Sequence, residues 1–193
     1  MFIYNESMKS TIRKSTYKAI YRLLNRVSPL PWDCGSLCDS ICCTCGGDQN
    51  ILDFQMGIYL LPGEEKLFTR RENWLKWGSS NASNGDFPDT WHGKVHFIRC
   101  KTPPVCPREQ RPLQCRFFPL APHITRGKTL QLILSPLVLP YSCPLIEKKM
   151  DLDPKFIKAT YTVWRRLVQD PLIFDLVDYD SSFRREEDLH IIC

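Results

Sequence analysis

The sequence lacks an apolar run long enough to cross a membrane. A spanning helix needs about 20 mostly apolar residues, and the apolar segment 130–141 is shorter and contains Pro136 and Pro140. The first residues also lack the pattern of a secretory signal peptide, because basic residues are spread from Lys9 to Arg26 instead of preceding an apolar core. We therefore expect no membrane span and a cytoplasmic location.

Familiar catalytic motifs are missing as well. The chain has no glycine-rich phosphate loop, no nucleophile elbow and no HExxH pair. It also has no internal repeat. Its net charge is +5, with basic residues scattered along the chain, a distribution that does not favour nucleic acid as a partner. The sequence does not determine whether the protein has a protein partner or what its oligomeric state is.

Size and composition indicate one globular unit of the α+β class. The 193 residues are 43% hydrophobic and 24% charged, which is ordinary for a folded domain. We predict cysteine-rich loops around a metal centre, with a short sheet and flanking helices. The expected parts are an N-terminal amphipathic helix in 1–30, a cysteine-cluster metal-binding domain in 31–150 and a C-terminal helical segment in 151–193.

Hydrophobic periodicity gives the expected elements. Helices are predicted at 6–27, 62–77 and 154–169, with a short one from Pro171 to Asp178, and a surface loop is predicted at 78–90. Strand-like runs lie at 56–61, 94–100 and 129–139, and the last two could pair across the cysteine segment between them. Asp153-Pro154 is a typical helix start.

The ten cysteines are the most unusual feature of the composition. A chain of this length can bury a core without crosslinks. Thiols stay reduced in the expected compartment, so clustered cysteines indicate metal ligation before disulfides. Soft thiolate ligands select zinc or an iron–sulfur cluster such as 4Fe–4S, and they exclude magnesium and calcium.

The cysteines form two groups. The first has the spacing C-x3-C-x3-C-C-x-C from Cys34 through Cys38, Cys42 and Cys43 to Cys45. Its glycines permit a positive φ or a close backbone approach. The adjacent pair Cys42-Cys43 suits a polynuclear cluster, two neighbouring centres, or one ligand beside one packed thiol.

The second group lies about 55 residues further along. It comprises Cys100, Cys106 and Cys115, and Cys143 follows later. We predict eight ligands: Cys34, Cys38, Cys42, Cys43, Cys100, Cys106, Cys115 and Cys143. Cys45 is open between ligand and bystander, and Cys193 is expected to be an unligated thiol.

The segment from Cys106 to Arg116 carries a resemblance. It reads C-x4-R-P-x2-C-R through Arg111, Pro112 and Cys115. In this pattern, in the ending Cys42-Cys43 and in the run 58–65, the chain resembles the CxxCxxCC-type cysteine-cluster family of zinc- or iron-chelating domains. The similarity covers about residues 34–145. The wider spacing of the first group and the extra Cys45 depart from the family pattern and leave the ligand register open.

The resemblance also implies roles for residues other than cysteine. Arg111 and Arg116 would flank the centre and offset thiolate charge or donate to sulfur, with a structural salt bridge as the alternative for each. His92, His96 and His123 are spare nitrogen ligands. His96 alternates with Val95 and Phe97 on a strand, so a histidine without a ligand role is the simpler interpretation there.

Three functions follow from these residues. The first is a cysteine-ligated zinc or iron–sulfur protein with an accessory, non-catalytic role. The second, implied by the resemblance, is an iron–sulfur-dependent protein-modifying enzyme similar to flagellin lysine methylases. The third is an interaction module for protein or nucleic acid in which zinc only builds the fold.

Overall fold

The computed structural model describes residues 9–44 and 58–193. Its helices are α1 Lys14–Leu24, α2 Ile41–Thr44, α3 Leu113–Phe117, α4 Pro144–Glu147, α5 Pro154–Leu167 and α6 Pro171–Ser182. Its strands are β1 Ile58–Tyr59, β2 Leu75–Asn81, β3 Lys94–Cys100, β4 Leu120–Ile124 and β5 Leu130–Leu134. Short 3-10 helices lie at Cys34–Leu37, Glu64–Leu67, Ala82–Asn84, Arg108–Gln110 and Glu186–Asp188. This mixture confirms the α+β class.

Two antiparallel sheets organise the strands. The first has the order β1-β3-β2, and β2 pairs with β3 along its full length, from Leu75 opposite Cys100 to Asn81 opposite Lys94. The second is the hairpin β4-β5. The predicted strand 94–100 is therefore confirmed, but its pairing with 129–139 is wrong. Each run instead finds a partner nearer in sequence, which is the less costly closure for the chain.

The predicted helix 62–77 is also wrong. Gly63 has a φ of 92°, and only a four-residue 3-10 helix follows it. Arg70 is left-handed with a φ of 65°, and the Glu72 carboxylate accepts from the Thr69 amide at 2.6 Å, which closes a turn. The chain then enters β2, so the predicted loop 78–90 begins inside a strand.

The terminal helices share one hydrophobic core with the middle of the chain. The described part of α1 begins at Lys14, later than the predicted position 6, and buries Tyr17, Ile20, Tyr21 and Leu24. The α5 and α6 predictions are confirmed, and α6 extends to Ser182. A smaller cluster of Leu60, Trp74, Leu75 and Ile98 lies behind the first sheet.

No helix within residues 9–44 and 58–193 is long and apolar enough to span a membrane. This agrees with the absence of a long apolar run in the sequence. This finding applies only to the residues that the structure describes.

His123 is a buried histidine on β4 whose two ring nitrogens find no hydrogen-bond partner within the described residues. Burial lowers its pKa below 6.5, and the nearby charge of Arg184 acts in the same direction. The unfolded chain therefore takes up a proton first as the pH falls, and folding stability is lost below about pH 6.5.

We predict that His123→Leu removes this acid sensitivity. Between about pH 7.5 and 5.5 the wild type should lose roughly 1 kcal/mol more unfolding free energy than the variant. Urea denaturation at the two pH values measures the difference. Equal losses in both proteins would contradict the assignment of a neutral buried imidazole.

Candidate metal centre

A cavity of about 310 Å³ collects cysteines from both sequence groups. Cys34, Cys42 and Cys43 come from the first group, and Cys100, Cys106 and Cys115 from the second. Six of the eight predicted ligands therefore line one space, although 57 residues separate Cys43 from Cys100 along the chain. Cys38 and Cys143 lie outside its lining, and Cys45 lies outside the described residues.

The first cysteine loop is built by a tight backbone turn. The Asp33 carboxylate accepts from the Gly35 amide at 3.2 Å and caps the 3-10 helix that starts at Cys34. The amides of Cys38 and Ser40 both donate to the Gly35 carbonyl, at 3.3 and 2.9 Å. A Cβ on residue 35 would lie 2.5 Å from Ser40 Oγ, so a larger residue there would displace the Ser40 side chain.

Two successive left-handed residues turn the chain from Cys38 into α2. Asp39 has a φ of 49° and Ser40 a φ of 55°. Non-glycine residues in this region cost on the order of 1–3 kcal/mol each, and such conformations cluster at functional sites. The positive φ values fall on these two residues and not on Gly35, although the sequence suggested a glycine for that role. The turn leads directly to Cys42 and Cys43 on α2.

The second group is held by a strand end and by a short helix. Cys100 closes β3 opposite Leu75. Cys106 follows the Pro103-Pro104 pair, and Cys115 lies on α3, which Pro112 caps. Arg108 Nη1 lies 3.7 Å from Asp33 Oδ1, and this exposed ion pair connects the two cysteine segments.

Arg111 interacts directly with a sulfur. Its Nε donates to Cys106 Sγ at 3.0 Å. Burial opposes its charge, but the hydrogen bond to Cys106 and the negative charges of Cys106, Cys43 and Cys115 outweigh burial and raise the pKa of Arg111. This geometry matches the first of the two expected roles, donation to sulfur and charge compensation.

Arg116 has a structural environment instead. Its Nε donates to the Arg111 carbonyl at 2.5 Å, its Nη1 donates to Asn25 Oδ1, and its guanidinium lies 4.3 Å from the centre of the Tyr21 ring. Neither Arg111 nor Arg116 forms an ion pair with another described residue. Arg116 therefore fixes the Arg111 backbone and joins α3 to α1.

The thiol chemistry differs between neighbouring cysteines. A hydrogen bond from the Cys42 thiol, together with the charge of Arg111, lowers the pKa of Cys43 to about 6, against the effect of burial. The same hydrogen bond and burial raise the pKa of Cys42. Cys115 lines the cavity with an exposed side chain. Desolvation by the surrounding protein, followed by the charge of Cys43, raises its pKa to about 12.

The eight cysteines divide into two neighbourhoods. Cys143 is buried in the main core, and Cys34 packs against that core. Cys100 and Cys106 pack instead against the smaller cluster around Trp74. Besides burial and Asp33, the charges of Cys38 and Cys143 raise the pKa of Cys34. Cys42 and Cys43 lie between the two neighbourhoods.

The sulfurs of the described cysteines do not form a preorganised coordination site. Within residues 9–44 and 58–193, no group of three or more His, Cys, Asp or Glu side chains is arranged to hold an ion. None of the spare histidines lines the cavity, and His96 contacts Arg70 and Trp77. Binding would therefore require thiol side chains to converge around the metal, as is common where binding and folding are coupled.

Glu64 is a site residue that sequence reasoning missed. The helix predicted at 62–77 would place Glu64 in its first turn, but the carboxylate is fully buried. Its Oε1 accepts from Tyr21 Oη at 2.6 Å and from the Leu113 amide at 2.9 Å, and its Oε2 accepts from the Leu61 amide at 3.1 Å. The one available sequence signal for the burial of Glu64 was its place shortly after the apolar run 58–61.

Comparison with known proteins adds no identity. No protein-family model matches the chain, and neither a curated protein nor a solved structure is significantly similar to it. The resemblance to the cysteine-cluster family stays a prediction based on the residues quoted for it.

We predict that Glu64→Gln destabilises the protein by about 1–3 kcal/mol, because the amide NH₂ would face a backbone donor at Leu61 or Leu113 without an acceptor. The matched change Glu187→Gln, at an exposed position, should alter the unfolding free energy by less than about 0.5 kcal/mol. Urea denaturation of both variants gives the comparison. Equal small effects would show that the buried carboxylate does not organise the site.

Proposed function

We propose that this protein binds zinc or an iron–sulfur cluster through the cysteines around the cavity, in an accessory, non-catalytic role. The observation that carries the proposal is the meeting of six cysteines from two distant segments around one cavity. A guanidinium already hydrogen-bonded to one of those sulfurs supports it. Donors of this kind suit a soft metal centre, since cationic groups around thiolate ligands offset their accumulated charge.

The number of sulfurs bears on the kind of centre. One structural zinc takes four ligands, and six cysteines line the cavity, with Cys38 near Cys34 and Cys143. An iron–sulfur cluster also takes four cysteine ligands, so the surplus favours a polynuclear thiolate centre or a second centre over any single four-ligand one. Arg111 would balance the charge beside Cys106, and the strained turn at Asp39-Ser40 would present Cys42 and Cys43. The enzyme and interaction-module alternatives stay predictions.

The proposal is tested by purifying the protein without oxygen and measuring iron, zinc and acid-labile sulfide together with the visible spectrum. We expect metal in the wild type. Brown protein with sulfide would identify an iron–sulfur cluster, and colourless protein with zinc would identify a structural zinc centre.

Paired variants make the test specific. Cys106→Ser with Cys115→Ser should remove at least half of the bound metal and lower the melting temperature. Cys193→Ser is the matched control, because Cys193 is exposed at the chain end and does not line the cavity; it should retain the metal. Metal-free wild type, together with unchanged stability of the double variant, would overturn the proposal.

A further inference from the structure

Charge is strongly segregated in the fold. Residues 9–32 contain six Lys or Arg and residues 154–169 contain four, and neither segment contains an acidic residue. These two segments hold ten of the 26 basic residues, which leaves 16 basic against 21 acidic residues elsewhere. The charge that looks scattered along the sequence is therefore concentrated on α1 and α5 with the residues that flank them.

The two helices lie side by side and antiparallel. At one end the Thr11 amide donates to Asp170 Oδ2 at 2.6 Å, just beyond the end of α5. At the other end the Asp153 amide donates to the Pro29 carbonyl at 2.8 Å, just before the start of α5. Both helices bury their apolar sides in the main core. Their polar sides therefore adjoin on the outside of the molecule, and we call this surface the basic face.

The basic residues on α1 recur at a fixed interval. Lys14, Lys18 and Arg22 follow one another every four residues, and Arg26 continues the series in the turn after the helix. Each step advances about 6 Å along the helix axis. All four side chains are exposed. A shallow depression of about 340 Å³ lies over Ser15, Lys18 and Arg22, where a hydroxyl and two cations meet.

This arrangement has a cost that no ion pair among residues 9–44 and 58–193 offsets. Like charges four residues apart destabilise a helix by roughly 0.2–0.5 kcal/mol per pair. The ion pairs formed among the described residues, Arg108 with Asp33 and Lys128 with Asp178, involve none of the ten cations. The Asp170 carboxylate, which joins the two segments, is buried and accepts from Ser10, Thr11 and two amides of α6. An external polyanion would compensate the charges of this face.

We propose that the basic face binds the phosphate backbone of a nucleic-acid duplex without reading its sequence. A duplex carries one negative charge per about 1.7 Å of its axis, so the roughly 21 Å length of α5 spans about 12 phosphates. Seven of the ten cations lie on the two helices and three flank α1, so their number is comparable with the number of phosphates within reach. The inference does not depend on metal binding, because none of the ten cations lines the cavity.

Two other polyanions fit the face less well. Exposed apolar side chains strengthen the binding of a basic helix to an anionic membrane, and the described basic segments offer two large ones, Leu23 at 37% exposure and Trp32 at 54%. Single strands need aromatic platforms for base stacking; no exposed residue of α1 or α5 is aromatic, and Trp32, beyond the end of α1, is the one exposed aromatic side chain of the two basic segments. Both ligands belong in the experiment as competitors of the duplex.

The test is fluorescence anisotropy with short random-sequence DNA and RNA duplexes, a single strand, and vesicles containing anionic lipid. The test variant is Lys14→Gln, Lys18→Gln, Arg22→Gln and Arg26→Gln combined. The control variant replaces the same number of exposed cations away from the face: Arg71→Gln, Lys76→Gln, Lys94→Gln and Arg126→Gln. Both variants have the same formal net charge, so only the position of the lost charges differs.

We expect wild-type duplex affinity to fall steeply between about 50 and 200 mM salt. The test variant should bind at least about 30-fold more weakly at low salt, with the slope of log affinity against log salt reduced by about 2 to 4. The control should change the affinity by less than about threefold. Absence of wild-type binding, equal loss in both variants, equal affinity for the single strand, or preference for vesicles would each overturn the proposal.

Discussion

The buried carboxylate of Glu64 is the interaction on which the rest of the candidate site depends. It joins the Tyr21 hydroxyl of α1, the Leu61 amide after β1 and the Leu113 amide at the start of α3. A buried acceptor with three donors is costly to disturb, since each donor left without a partner loses its solvation. Because α3 carries Cys115, this side chain ties the helix of the second cysteine group to α1 and to the segment after β1.

Several groups suited to binding a ligand lie in the same part of the protein as Glu64. Cysteines converge on a cavity, Arg111 contacts the sulfur of Cys106, and two left-handed residues present α2. The pKa of Cys115 is raised to about 12 by its surroundings and by the charge of Cys43, so a cation is the natural means of holding such sulfurs as thiolates. The basic face on α1 and α5 is comparable, because it also has an excess of one kind of group, positive charge instead of sulfur.

The sequence predicted the parts whose information is local. The α5 start at Asp153-Pro154, the strand 94–100 and the grouping of the cysteines all follow from short-range pattern and spacing. It could not predict the route from Gly63 to β2, because burial of Glu64 and full-length pairing with β3 override a helical start signal. The basic face could not be predicted for a related reason: the antiparallel packing of α1 and α5 brings charges at least 129 residues apart onto one surface.

The central claim is that sulfur from these cysteines binds a metal. X-ray absorption at the metal edge of anaerobically purified protein tests it most directly, because it reports the atoms bonded to the metal. The account predicts a first shell dominated by sulfur, at about 2.3 Å for zinc, that weakens when the cavity cysteines are replaced. A first shell of nitrogen and oxygen alone would contradict it.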